Sequence, residues 1–89
     1  MASGSATVTD SASVIVAANS LRHSVIIANP NAATLYIGDS NVTTTNGIPI
    51  LQNGTFEEDS GGTKLWQGPI YGILATGSST IPYWERLRA

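Results

Sequence analysis

A chain of 89 residues without cysteine has neither a disulfide framework nor a cysteine-based zinc site to hold it, and at this length it reads as one domain. Such a domain buries only about 60% of the surface of its unfolded chain, so self-association is expected to make up the deficit. Charged residues are 11% of the total, the formal net charge is −2, and Arg22, Lys64, Arg86 and Arg88 form no stripe, which argues against a nucleic-acid partner.

The opening stretch, MASGSATVTDSAS, lacks the basic start and apolar core of a secretory signal. No apolar run approaches the roughly 20 residues of a membrane span, so a chain made in the cytoplasm with no membrane partner is expected. Residues 1 to about 10 read as a flexible arm, with Ala6-Thr7-Val8-Thr9 able to form a strand if a neighbouring subunit pairs with it. Ala12 to Ala17 follows as a strand, with Val14 and Val16 on one face and Ile15 on the other.

Ser20 to Gly38 is the most informative stretch. Ser24-Val25-Ile26-Ile27-Ala28 and Ala33-Thr34-Leu35-Tyr36-Ile37 are two β-branched, apolar runs joined across Asn29-Pro30-Asn31, a sequence that stops one strand and reverses the chain. The expectation is a central hairpin. Residues 39–50 then read as a long loop with an edge segment: Gly38-Asp39-Ser40-Asn41 and Asn46-Gly47 favour turns, and Pro49 bars a central strand position. Its Asn41, Val42, Thr43, Thr44, Thr45 and Asn46 are candidate partner-binding residues, because an exposed, uncharged loop without a strand partner is free to contact another chain.

Asn53-Gly54 marks another turn, leading to a strand with Phe56 inward beside Glu57-Glu58-Asp59 and fraying into Ser60 to Thr63. Leu65-Trp66 is a short apolar run closed by Gln67-Gly68-Pro69. Ile70 to Ala75 and Thr80 to Glu85 read as a hairpin closed by Gly77-Ser78-Ser79, with Pro82 suggesting an edge, and residues 86–89 as a tail. Six to eight short strands between Gly, Asn and Pro turns predict an all-β fold, a small antiparallel sandwich or barrel of jelly-roll-like form. Its expected interior is Val14, Val16, Val25, Ile27, Leu35, Ile37, Phe56, Ile73 and Ile81.

Little in the chain points to catalysis. His23 is the one histidine, no nucleophile elbow accompanies it, and Gly61-Gly62 lacks the spacing of a phosphate loop. Adjacent strand residues face opposite ways, so Glu57 and Glu58 cannot share one cation without a bulge, and no cofactor or metal is expected. Asn41-Val42-Thr43 and Asn53-Gly54-Thr55 match the glycosylation sequon, which matters only in a secretory compartment. Aromatic residues gather late in the chain, at Trp66, Tyr71, Tyr83 and Trp84. Exposed, they would serve a subunit interface in preference to a sugar site, and Trp66, Tyr83 and Trp84 join the candidate partner-binding residues. Tyr83 and Trp84 alternate, so one of the two faces away from the core.

The runs Val14-Ile15-Val16-Ala17-Ala18-Asn19, Arg22-His23-Ser24-Val25-Ile26-Ile27-Ala28-Asn29 and Leu35-Tyr36-Ile37-Gly38 resemble those of small tailed-bacteriophage virion proteins. So do Val42 to Ile50 and the span from Ile70 to Ile81, and the likeness covers about residues 12–85. The resemblance implies a compact β-sandwich without a catalytic site, located in the virion as a capsid decoration or cement protein, often trimeric, with the major capsid protein or another virion protein as partner. A host-attachment or carbohydrate-binding module of a tail or fibre is the alternative it leaves open. Arg22 is carried over as a structural anchor under the sandwich, whereas Arg86-Leu87-Arg88 departs from the family pattern.

Overall fold

The computed structural model describes residues 2–59 and 68–87, and in them the β-branched runs punctuated by Asn, Gly and Pro become eight strands. These are β1 (Ala2–Val8), β2 (Ser13–Val16), β3 (Arg22–Asn29), β4 (Leu35–Gly38), β5 (Ile48–Ile50), β6 (Gly54–Asp59), β7 (Ile70–Leu74) and β8 (Ser79–Leu87). They form two four-stranded antiparallel sheets, the first in the order β1-β8-β3-β6 and the second β2-β7-β4-β5. The described residues contain no helix, hence none long and apolar enough to cross a membrane.

Every strand pairs with its counterpart counted from the other end of the chain: β1 with β8, β2 with β7, β3 with β6 and β4 with β5. The chain is thus one long antiparallel ribbon, folded back at residues 39–47 and then wound so that β3 meets β8 and β4 meets β7. That winding is the jelly roll, an all-β sandwich of the predicted class. Among the described strands, only β4 and β5 are joined as a true hairpin.

The connection at Asn29-Pro30-Asn31 is therefore not the expected hairpin. β3 and β4 each carry one buried face, Val25 and Ile27 in one and Leu35 and Ile37 in the other. Placing these faces opposite one another across a sandwich about 10 Å thick buries both, and residues 30–34 supply the chain to cross it. The same logic separates β7 from β8, so Gly77 to Ser79 also crosses between sheets where a hairpin was expected.

β3 is pinned at both ends by a buried polar side chain. Arg22 is fully buried: its Nε donates to Glu85 Oε2 at 2.7 Å, and its terminal nitrogens donate to the carbonyls of Gly68 at 3.0 Å and Ala17 at 2.8 Å. Asn29 closes the other pole. Its Nδ2 donates to the carbonyls of Ala33 and Ile50, its Oδ1 accepts from the Asn31 amide, and its own carbonyl accepts from Asn53. Buried polar groups are tolerated when satisfied in this way, and together they fix where β3 starts and stops.

Between these poles the core is built from Val8, Ile15, Val16, Val25, Ile27, Leu35, Ile37, Ile50, Ile70, Leu74 and Ile81, with Ala6, Phe56 and Tyr83 packed on it. Two expected members face the other way. Val14 is 42% exposed because a bulge between Val14 and Val16 shifts the register and brings Ile15 and Val16 inside together. In β7 the inward positions are Ile70, Gly72 and Leu74, so Ile73 points out. A Cβ on Gly72 would collide with Ile15 and come within 3.2 Å of Leu35, so the empty side of this glycine is filled by side chains of the two flanking strands of its own sheet.

The ends also differ from expectation. Residues 2–8 are no arm: they pair residue for residue with β8, from Ala2↔Glu85 to Val8↔Ser79. Gly4 lies under the ring of its partner Tyr83, close enough that a Cβ would sit 2.8 Å from the Tyr83 hydroxyl oxygen. An aromatic ring laid over a strand glycine restores the packing that the glycine lacks. Arg86 and Leu87, expected in a tail, complete β8. That strand is central, and Pro82 is accommodated because the β3·β8 ladder stops at Ile27↔Tyr83, one residue before it.

Candidate functional site: the outer face of the second sheet

In an antiparallel sheet with one wet face, apolar and polar residues alternate. The first sheet follows this along β1, where Ser3, Ser5 and Thr7 face out, and departs from it around Ile26, Ala28, Pro82 and Trp84; in the second sheet the departure extends over the whole outer face and carries no charge. Register places Val14 beside Tyr71, Gly38 beside Tyr71 on the other flank, and Tyr36 between Ile73 and Pro49. All lie opposite the buried set Ile15, Leu35, Ile37, Ile50 and Leu74, so they form the outside of the second sheet. None of these outer residues is charged. Val14 and Pro49 are exposed, while Tyr36, Tyr71 and Ile73 cover one another to become half-buried. Two tyrosines, a valine, an isoleucine and a proline, without a charge, have the composition of an interface centre and not of a solvated sheet.

Only part of this face was signalled by the sequence. Tyr71 stands out among the late aromatics, whereas Tyr36 reads only as a strand residue. The signal for the rest is the lack of alternation itself: Ser-Val-Ile-Val, Leu-Tyr-Ile-Gly and Ile-Tyr-Gly-Ile-Leu have apolar residues at odd and even positions alike, as strands covered on both faces do.

The candidate residues of the loop fall elsewhere, at the pole where β4 ends. They are not the unpaired segment expected. Asp39 Oδ1 accepts from the Asn41 amide and the Asp39 carbonyl from Val42; Asn46 Oδ1 accepts from the Thr43 amide, and Asn46 Nδ2 donates to the Asn41 carbonyl. Gly47 closes the loop by donating to the Thr43 carbonyl. Val42 is 4% exposed and plugs the loop from inside, so it anchors the loop and is not a contact residue. Asn41, Thr43, Thr44, Thr45 and Asn46 remain on the surface as side chains, with much of their backbone bonding turned inward.

Tyr83 and Trp84 divide as the alternation requires. Tyr83 packs against the core over Gly4, which removes its ring from the outer surface, and Trp84 stands half-buried on the outside of the first sheet beside Ile26. The Arg86 guanidinium lies over the Trp84 ring at 5.8 Å. Ser24, Ile26, Glu57, Trp84 and Arg86 line a shallow depression of about 410 Å³ there. Trp66 lies outside the described residues, as does the Leu65-Trp66 run. The described residues hold no group of three His, Asp or Glu side chains placed to share a metal ion, and Glu57 and Glu58 do point to opposite faces of β6.

No family model matches the chain, and neither the curated proteins nor the solved structures searched contain a match to it.

Proposed function

We propose that this protein is a non-enzymatic structural component of a virion, a decoration or cement protein that attaches to the assembled phage head through the outer face of its second sheet. The observation that carries the reading is the uncharged face of Val14, Tyr36, Pro49, Tyr71 and Ile73, a surface suited to burial against protein. The resemblance of the strand and turn sequences to small tailed-phage virion proteins supplies the kind of partner. Attachment to the assembled state alone stabilises that state by RT ln(1 + [L]/Kd), and a contact without ion pairs resists salt.

The test is the melting of shells with and without added protein, at low and high salt. A raised melting temperature that survives high salt, and that is lost with Tyr71→Glu, is the expected result. An unchanged melting temperature with the full chain overturns the proposal. A second reading, a carbohydrate-binding attachment module, draws on a different observation: the Trp84 ring, the Glu57 carboxylate and the Ser24 hydroxyl share one depression, and sugars stack on such rings while bonding to such oxygens. Glycan binding by the isolated protein, abolished by Trp84→Ala, would favour it.

A further inference from the structure

The two sheets have four edges, and three of them are blocked against pairing with another chain. β2 has four residues and a bulge; β5 has three with Pro49 in the middle; β6 carries Glu57, Glu58 and Asp59. β1 has none of these devices. It runs for seven residues, Ala-Ser-Gly-Ser-Ala-Thr-Val, with no charge, no proline and no break in its register with β8.

Which backbone groups face outward from β1 follows from the ladders. The Asn29 carbonyl accepts from Asn53, next to Gly54 of β6, so Asn29 turns its backbone toward β6. Alternation then turns Ala28 and Ile26 toward β8. Trp84, opposite Ile26, faces back to β3, and so does Pro82 two residues away. Tyr83 and Ile81 therefore bond to their β1 partners Gly4 and Ala6, while Ser3, Ser5 and Thr7 present N–H and C=O groups to the open edge. Among the described residues, no backbone hydrogen bond reaches that edge from outside the β1·β8 ladder.

We infer that β1 pairs antiparallel with β1 of a second copy, joining the two first sheets into one eight-stranded sheet across a two-fold axis. The other edges of a second copy are unsuited to receive β1, being short, interrupted or acidic, whereas β1 suits itself. Pairing about Ser5 sets Ser3 opposite Thr7 on the outer face and Gly4 opposite Ala6 on the inner side. Hydroxyl residues then meet hydroxyl residues, the glycine meets a larger residue, and no like charges approach. The axis closes at two copies, so this pairing departs from the threefold arrangement that the family resemblance implies.

The inference is independent of shell attachment and is tested on the free protein. Ser5→Pro removes an outward N–H while leaving the bonds of Gly4 and Ala6 to β8, and Thr7→Lys places a charge at the edge. Sedimentation equilibrium should give the mass of two chains for the parent and of one chain for Ser5→Pro, with circular dichroism unchanged. Thr7→Lys, which leaves the backbone intact, should shift the mass the same way if Ser5→Pro fails to fold. Amide exchange should show Ser3, Ser5 and Thr7 protected in the parent and unprotected in the dissociated variant. A parent mass of one or three chains overturns the inference, and so does a mass of two chains in either variant once folded.

Discussion

The two sheets share one interior and present opposite exteriors. Outside, the first sheet mixes Ser and Thr with an apolar strip of Ile26, Ala28, Pro82 and Trp84 beside the charges of Glu57 and Arg86. The second sheet has Tyr36, Tyr71, Ile73 and Val14, with no charge. Inside, the roles reverse: the buried ion pair and the buried Asn29 belong to strands of the first sheet, while the inner face of the second carries aliphatic side chains around Gly72. The first sheet thus specifies its geometry through satisfied polar groups and tolerates water on its back. The second contributes only aliphatic side chains to the interior, takes a buried side-chain hydrogen bond from Asn29 of the first at the Ile50 carbonyl, and leaves an apolar back to be covered by something else.

The largest expected effect tests the polar interior. Glu85→Leu leaves the fully buried Arg22 without its carboxylate and should cost about 3–5 kcal/mol in urea unfolding, whereas the double change Arg22→Met with Glu85→Leu should recover much of the loss. A single variant as stable as the parent would mean that the pair does not hold the first sheet. Next comes the aliphatic interior. Leu74→Ala should cost about 2–5 kcal/mol and Ile73→Ala clearly less, since the first empties a core site and the second trims an outer surface. If Ile73 proves the costlier, the register of β7 is the reverse of that described. The smallest effect belongs to the outer face. Tyr71→Ser should change stability by no more than about 1 kcal/mol, the scale of a cross-strand contact, while abolishing attachment to shells. A stability loss as large as that of Leu74→Ala would make this tyrosine part of the fold and not a docking residue.

The same contrast decides what could be read before the structure. In the first sheet, Val25, Ile27 and Ile81 are inside as expected, with Ile26 between the first two turned outward. In the second, apolar residues sit on both faces, so alternation cannot choose between Ile73 and Leu74. Gly72 at the central inward position hides the pattern further, and the bulge after Val14 breaks it. Pairing was harder to see than burial. Strands that follow one another across a turn look like a hairpin, yet β3 and β4, and β7 and β8, lie in different sheets because each needs its apolar side faced by another layer. The neutral β1 reads as an arm because nothing local says that the far end of the chain supplies Tyr83 to cover Gly4. The outer face was legible only as an excess of aromatics whose common surface depends on register.

The pairing of Ala2 with Glu85 has a geometric consequence for anything joined to this unit. The entering and leaving strands lie side by side, about 4.8 Å apart, and run in opposite directions, so both ends of the body emerge at the pole that holds Arg22 and the 39–47 loop. Of the described residues, the opposite pole carries the connections at 9–12, 30–34, 51–53 and 75–78. A fused partner, at either end, would hang from the same pole. Copies strung in one polypeptide could be linked without the linker running the roughly 30 Å length of β8, and the unit could be inserted into an exposed loop of another protein with little distortion of its host.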